Sequence, residues 1–209
     1  MDTFISLLPS FFGSGAAIAI ITIAKLCFEE SRERKKREEA TQYLALLLAI
    51  QFEGYAIDCA SKASDHKTAI EHEGDVGNVI DRVLQPQAPP VSESYQLLDR
   101  VILDAVFGFS QRCQMAQEAA MFWWHVVGDE DCCNSAMEEN TIKMGGEALE
   151  ISESLRSKYK LGDRRLEFGE WEIRSFFKRE LKLLQDKEAK RKQWEAERID
   201  QETRKKQQG

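Results

Sequence analysis

The chain has no Gly-x-Ser-x-Gly elbow, no Walker-type phosphate loop and no glycine-rich strand-to-helix turn. Those absences remove the commonest signatures of nucleophilic catalysis and nucleotide binding. It also lacks a Cys-x-x-Cys pair, and its five cysteines are an odd number, so neither a zinc ribbon nor a disulfide framework is implied. The Glu-x-x-His spacing of di-iron bundles is missing from "EHEGD", Glu71 to Asp75, and His72 on its apolar stripe reads as a hydrogen-bonded core residue. Proline occurs at only four positions, Pro9, Pro86, Pro89 and Pro90, and no segment alternates as a strand does. The expectation is an all-α chain.

Basic surface is scarce as well. Residues 1–37 hold 6 Lys and Arg against 4 Asp and Glu, and residues 160–209 hold 15 against 11, which leaves 8 against 21 for residues 38–159, a net of −13. An acidic body of that size repels a nucleic-acid backbone and an anionic lipid surface alike. The runs Lys190 to Lys192 and Arg204 to Lys206 are interleaved with acids, as on a solvated helix face. No nucleic-acid partner is expected.

What is present begins with Phe4 to Ala24, which carries no charged side chain. Roughly 21 helical residues span about 30 Å, the thickness of a hydrocarbon core. A cleaved signal would need cations before the apolar run, whereas only Asp2 precedes it and Lys25 follows it. Arg32, Arg34, Lys35, Lys36 and Arg37 lie within the range over which the positive-inside bias acts, so they are the expected topology determinants, with the N-terminus outside and the remainder cytosolic. In a bacterium that membrane would be the inner one. Cytosolic cysteines stay reduced. Gly13, Gly15, Ala16 and Ala17 are small enough to let two spans approach, which makes them candidate helix–helix contacts in a homo-oligomer.

The rest of the chain reads as helices. Leu44, Leu47, Leu48, Phe52, Tyr55 and Cys59 mark one face from Ala40 to about Lys62, on a helix that continues from the anchor through the charged residues 29–39. A second helix is expected from Asp65 to Leu84, with Ala69, His72, Val76, Val79, Ile80 and Val83 on a stripe, ended by "QPQAPPVS". A third begins at Ser92 with Glu93 as its capping pair and carries a seam of Leu98, Ile102, Ala105, Phe109, Cys113, Ala116, Ala120, Trp123 and Val127. Gln111 falls on its outer side. Val101, Gly108, Met115, Phe122 and Val126 are expected to widen its buried face. "GDED" connects to a fourth helix with Met137, Thr141, Met144, Ala148, Ile151, Leu155 and Tyr159 in register, stopped at Gly162. Gly145 and Gly146 inside it signal close helix approach or a local bend.

From Arg164 the packing face is Leu166, Trp171, Ile173, Phe176, Phe177, Leu181 and Leu184. Beyond Gln185 the apolar residues thin out, and acid-before-base pairs four apart (Asp186–Lys190, Glu188–Lys192, Asp200–Arg204, Glu202–Lys206) describe a solvated helix or a coiled coil.

The expected organisation is a single transmembrane anchor at 1–28, a charged juxtamembrane helix at 29–39, an antiparallel cytosolic bundle of about four helices at 40–162, and a long charged C-terminal helix at 163–209. "HVVGDEDCC" gathers His125, Asp129, Asp131, Cys132 and Cys133, but adjacent cysteines on a helix point about 100° apart. No metal, cofactor or catalytic residue is assigned. Trp124, at the membrane-distal end, is expected to be partly exposed and with His125 is the candidate contact for an unidentified protein partner, while Trp123 is expected in the core. The functional expectation is a membrane-tethered interaction or regulatory module without catalytic activity. The competing one is an oligomeric membrane effector whose spans assemble and are gated by the cytosolic domain; the uncharged span disfavours it.

Overall fold

The computed structural model describes residues 8–73, 77, 79–90, 92–168 and 171–208, apart from the side chains of 8–21, 93, 94, 168, 200–202 and 204–208. Within these residues the chain is all-α, with four helices: α1 (Leu8–Glu71), α2 (Arg100–Phe122), α3 (Glu130–Tyr159) and α4 (Ile173–Gln208). A 3-10 turn, Glu93–Leu97, precedes α2, and a two-residue antiparallel pair, Glu167–Phe168 with Trp171–Glu172, precedes α4.

α1 is a single helix of 64 residues. Its side chains from Thr22 to Ala40 are exposed, and burial begins at Thr41. From there α1 forms the centre of the bundle and packs chiefly on α3. Ala45, Ala49, Ala56, Ala60 and Ala63 are fully buried, and side chains this small let α3 come close. The approach is closest where Gly145 of α3 meets Cys59: a Cβ at Gly145 would lie 2.5 Å from Phe177 Cζ and 2.7 Å from Cys59 Cβ. The paired glycines therefore mark a three-helix junction of α1, α3 and α4.

The direction of each element follows from its partners. α2 runs parallel to α1, with Phe109 edge-on to Phe52 and Tyr55 at centroid distances of 5.2 and 5.1 Å. α3 returns: Glu138 faces His66, Gly145 meets Cys59, and Ser152 and Arg156 bond to Glu53. α4 runs outward again, since Arg174 pairs with Glu153 of α3 and Lys187 with Glu139, which lies nearer the start of α3. Beyond Lys187 the described side chains of α4 are exposed. Glu188 and Lys192 close at 2.7 Å; the side chains of Asp200, Glu202, Arg204 and Lys206 lie outside the described residues.

Several expectations need correction. Among the described residues of 65–84 no separate helix forms. α1 continues to Glu71, and residues 79–90 form an irregular strap that descends along α1 in place of a returning helix. Lys62 donates to Asp81 Oδ1 (3.1 Å), Tyr55 Oη to the Leu84 carbonyl (2.8 Å) and Gln51 to the Gln87 carbonyl (2.6 Å). The strap's own amides find side-chain acceptors, Ile80 N–H on His66 Nδ1 and Val83 N–H on Gln117 Oε1, so helical bonds are not needed to satisfy them. Ile80 and Val83 are buried as expected, Val79 and His72 are exposed, and Val76 lies outside the described residues. His72 is therefore no core residue, because it stands in the turn that ends α1.

The third helix starts at Arg100 rather than Ser92. Asp99 is its cap and accepts the Val101 amide at 2.9 Å. Its seam from Leu98 to Ala120 is buried or half-buried, with Phe109 and Cys113 fully enclosed and Gln111 exposed. The stripe expected to widen that face does not: Val101 and Met115 are 78% and 70% exposed. They point away because α3 and the strap cover one side of α2 only. The seam of α3 holds throughout, with Met137, Thr141, Ala148, Ile151 and Leu155 buried. α3 ends at Tyr159, where Lys160 takes the left-handed conformation at φ 54°.

Among the described residues one helix, α1, is long and apolar enough to cross a membrane by length and composition, and more than half of its qualifying stretch within Thr22–Glu71 is buried in the bundle. That part is core. The span inferred from the sequence rests on Phe4 to Ala24, of which Phe4 to Leu7 lie outside the described residues, and the surroundings of Gly13, Gly15, Ala16 and Ala17 are likewise outside them.

Candidate interaction surface

At the end of the bundle away from the exposed start of α1, α2 gives way to a π-helical turn, Trp123–Val127. The turn closes on Gly128, whose left-handed φ of 71° suits a residue without Cβ, and whose N–H bonds to the Trp124 carbonyl at 3.2 Å. Asp129 N–H reaches the Trp123 carbonyl at 3.1 Å. Asp129 then caps α3, accepting the Cys132 amide at 2.8 Å, a bond that holds its carboxyl below the usual carboxylate range. Glu130 and Asp131 in the first turn of α3 complement the positive end of its dipole.

This geometry sets the side chains of the turn. By 3.6-residue periodicity Trp123 and Val127 continue the buried seam of Phe109, Ala116 and Ala120. Yet Trp123 is 39% exposed and Trp124 48%, and Phe122, Val126 and Val127 are exposed with them. Two causes combine. The π turn adds a residue to the repeat and shifts the phase of the residues after Trp123, and no described element covers the side chains of the turn. Trp123 is thus corrected from core to surface, whereas Trp124 is partly exposed as its position implied. His125 is exposed beside it.

The result is a cluster of exposed apolar side chains at this end of the bundle, with the Phe122 and Trp123 rings edge to face at 5.8 Å. Glu118, Glu130 and Asp131 stand exposed around it. Large exposed aromatic groups beside acidic residues are a composition that contact surfaces share.

Other groups with chemical potential are arranged structurally. Tyr55 Oη lies 3.3 Å from Cys113 Sγ. Burial drives the Tyr55 hydroxyl up, pushes the Cys59 thiol up to about 12 and raises that of Cys113. All three stay protonated at neutral pH, the opposite of an activated nucleophile. A cleft of about 700 Å³ opens between α1, the strap and α2, lined by Leu47, Ile50, Pro86, Pro89 and Phe107. Cys132 is exposed and Cys133 buried, and no group of three metal-ligating side chains occurs among the described residues. Arg32, Arg34, Lys35, Lys36 and Arg37 project from the exposed part of α1. Arg34 is bridged to Glu38 at 3.4 Å and Arg37 to Glu33 at 3.7 Å.

Two buried polar centres had no counterpart in the sequence reading. Glu53, 1% exposed, accepts from Ser152, Arg156 and Arg164. His66 is enclosed between α1, α3 and the strap. Glu53 interrupts the alanine face of α1, which was the signal available. No protein family, curated protein or solved structure matches the chain.

Proposed function

We propose that the chain is a membrane-tethered helical interaction module without catalytic activity, anchored through Phe4 to Ala24 and presenting the Phe122–Val127 end of its bundle to a cytosolic protein partner. The observation that carries this reading is the exposed aromatic turn, Phe122, Trp123, Trp124, Val126 and Val127, placed at the opposite end of the bundle from the exposed start of α1. A turn that leaves both of its indoles on the surface forgoes their burial, which a partner recovers on docking. The anchor confines that encounter to the membrane surface and raises the local concentration.

The test is Trp124→Ala in the full chain, cross-linked in intact cells and purified through the chain itself. Because Trp124 makes little use of the core, melting temperature should hold while the cross-linked partner is lost. A fall in melting temperature with the partner still captured would remove this turn as the contact.

A further inference from the structure

We propose that His66 is an acid-sensitive latch that fastens the 79–90 strap to the bundle and lets it go when the ring takes up a second proton. This inference stands apart from the docking role of the aromatic turn.

His66 lies on α1 and is 1% exposed. Its Nδ1 accepts the Ile80 N–H across 3.2 Å. An imidazole nitrogen that accepts a hydrogen bond carries no proton, so the one proton of the neutral ring sits on Nε2. Nε2 is turned toward Glu138 Oε2, 4.0 Å away, and has no hydrogen-bond partner among the described residues. A second proton has one place to go, Nδ1. There it confronts the Ile80 N–H, donor against donor, and the latch and the imidazolium exclude one another.

What the latch holds is specific. Ile80 and Val83 pack fully buried against Ala120, Cys133 and Met137, beneath the C-terminal end of α2. The strap has a second fastening, Val83 N–H on Gln117 Oε1 at 2.7 Å, and side-chain bonds to Lys62, Tyr55 and Gln51 further along. Loss of the His66 bond therefore loosens the strap at its start, next to the end of α1, rather than unfolding the bundle.

The surrounding charges decide the direction. Glu138 of α3 is the carboxylate that faces the ring and favours its protonation. On α1, Lys62 is engaged by Asp81 of the strap and Lys67 by Glu180 of α4, Asp65 is exposed, and α2 contributes the neutral Gln117. Burial outweighs Glu138, so the folded protein holds the ring below its ordinary value of 6.5. The unfolded chain then binds the proton more readily than the folded one. The latch contributes in full above about pH 6.5 and loses strength as pH falls below it.

Amide hydrogen exchange of the full chain in detergent, followed by mass spectrometry from pH 7.5 to 5.0 and corrected for intrinsic exchange, reads this directly. Peptides covering 79–90 should lose protection about tenfold per pH unit below about 6.5 until the folded-state ring is itself protonated, while the core of α3 stays constant. His66→Asn offers an amide oxygen to Ile80 N–H and cannot titrate, so its strap should be insensitive to pH. Constant wild-type protection, or the same pH curve in the variant, overturns the latch. If His66→Asn does not fold, ¹⁵N resonances of the wild-type ring serve instead: a bare Nδ1 at pH 7.5 that titrates together with strap loosening supports it, and a protonated Nδ1 at pH 7.5 sinks it.

Discussion

Glu53 shows what one residue can fasten. Its Oε1 accepts from Ser152 Oγ at 3.1 Å and from Arg156 Nε, and its Oε2 accepts from Arg156 Nη2 at 3.1 Å and Arg164 Nη1 at 2.9 Å. Arg156 also donates to the Gly162 carbonyl at 3.1 Å, so the carboxylate ties the middle of α1 to both the last turn of α3 and the loop after it. A charge this deep is tolerable only when every lone pair is used. Glu53→Ala leaves the buried Arg156 without its counter-ion and should cost about 3–5 kcal/mol. Arg164, half exposed, should cost under about 1 kcal/mol when changed to Ala. Urea denaturation of the two variants checks the contrast, and equal losses would show that the network contributes no more than a surface pair. Sequence pattern located Glu53 within α1 but could not reveal its partners, which come from residues about a hundred positions away and depend on how the helices are arranged.

At the scale of elements, helical periodicity was legible wherever a helix is covered along its length. The α3 seam and the α2 seam up to Ala120 lie where their three- and four-residue steps put them, and the unbroken passage of α1 through its charged stretch followed from the absence of any breaker. The strap was not legible, because Ile80 and Val83 are three apart, a spacing that an extended three-fold chain shares with a helix. Nor was the exposure of Val101, Met115 and Trp123, since apolar residues on a helix declare a face but not whether another element covers it. Gly145 and Gly146 were informative because glycine inside a helix is costly unless space demands it. Gly145→Ala gains about 1 kcal/mol of helix propensity but drives a methyl into Phe177 and Cys59, for a net loss of about 1–3 kcal/mol. Gly54, in α1 with nothing within 4 Å of its would-be Cβ, should instead stabilise the fold by up to about 1 kcal/mol as Ala. Thermal melts of the pair give opposite signs if the three-helix junction is packed as described, and the same sign if it is not.

For the whole molecule the open quantity is the tether. The side chains of Thr22 to Ala40 are exposed, and enclosure starts at Thr41, whose hydroxyl donates to the Arg37 carbonyl at 2.7 Å, so beyond the helical turn that supports Thr41 the bundle should owe none of its stability to what precedes it. On the proposed topology residues 25–40 form a helical spacer of about 24 Å between the lipid surface and the bundle, with the arginines and lysines of 32–37 held on the cytosolic side. A chain beginning at Glu33, which keeps that turn, should therefore melt at the same temperature as the full protein and remain in solution after high-speed centrifugation, while the full chain sediments with membranes and resists extraction at alkaline pH. Neutralising Arg32, Arg34, Lys35, Lys36 and Arg37 should leave sedimentation unchanged but weaken orientation, read by a cytosol-dependent reporter fused after Gly209. These outcomes separate the two roles that an apolar N-terminal helix can play. A truncated chain that melts earlier would mean that residues before Glu33 pack on the bundle, and a full chain found in the soluble fraction would remove the membrane from the proposal while leaving the aromatic turn as a contact surface.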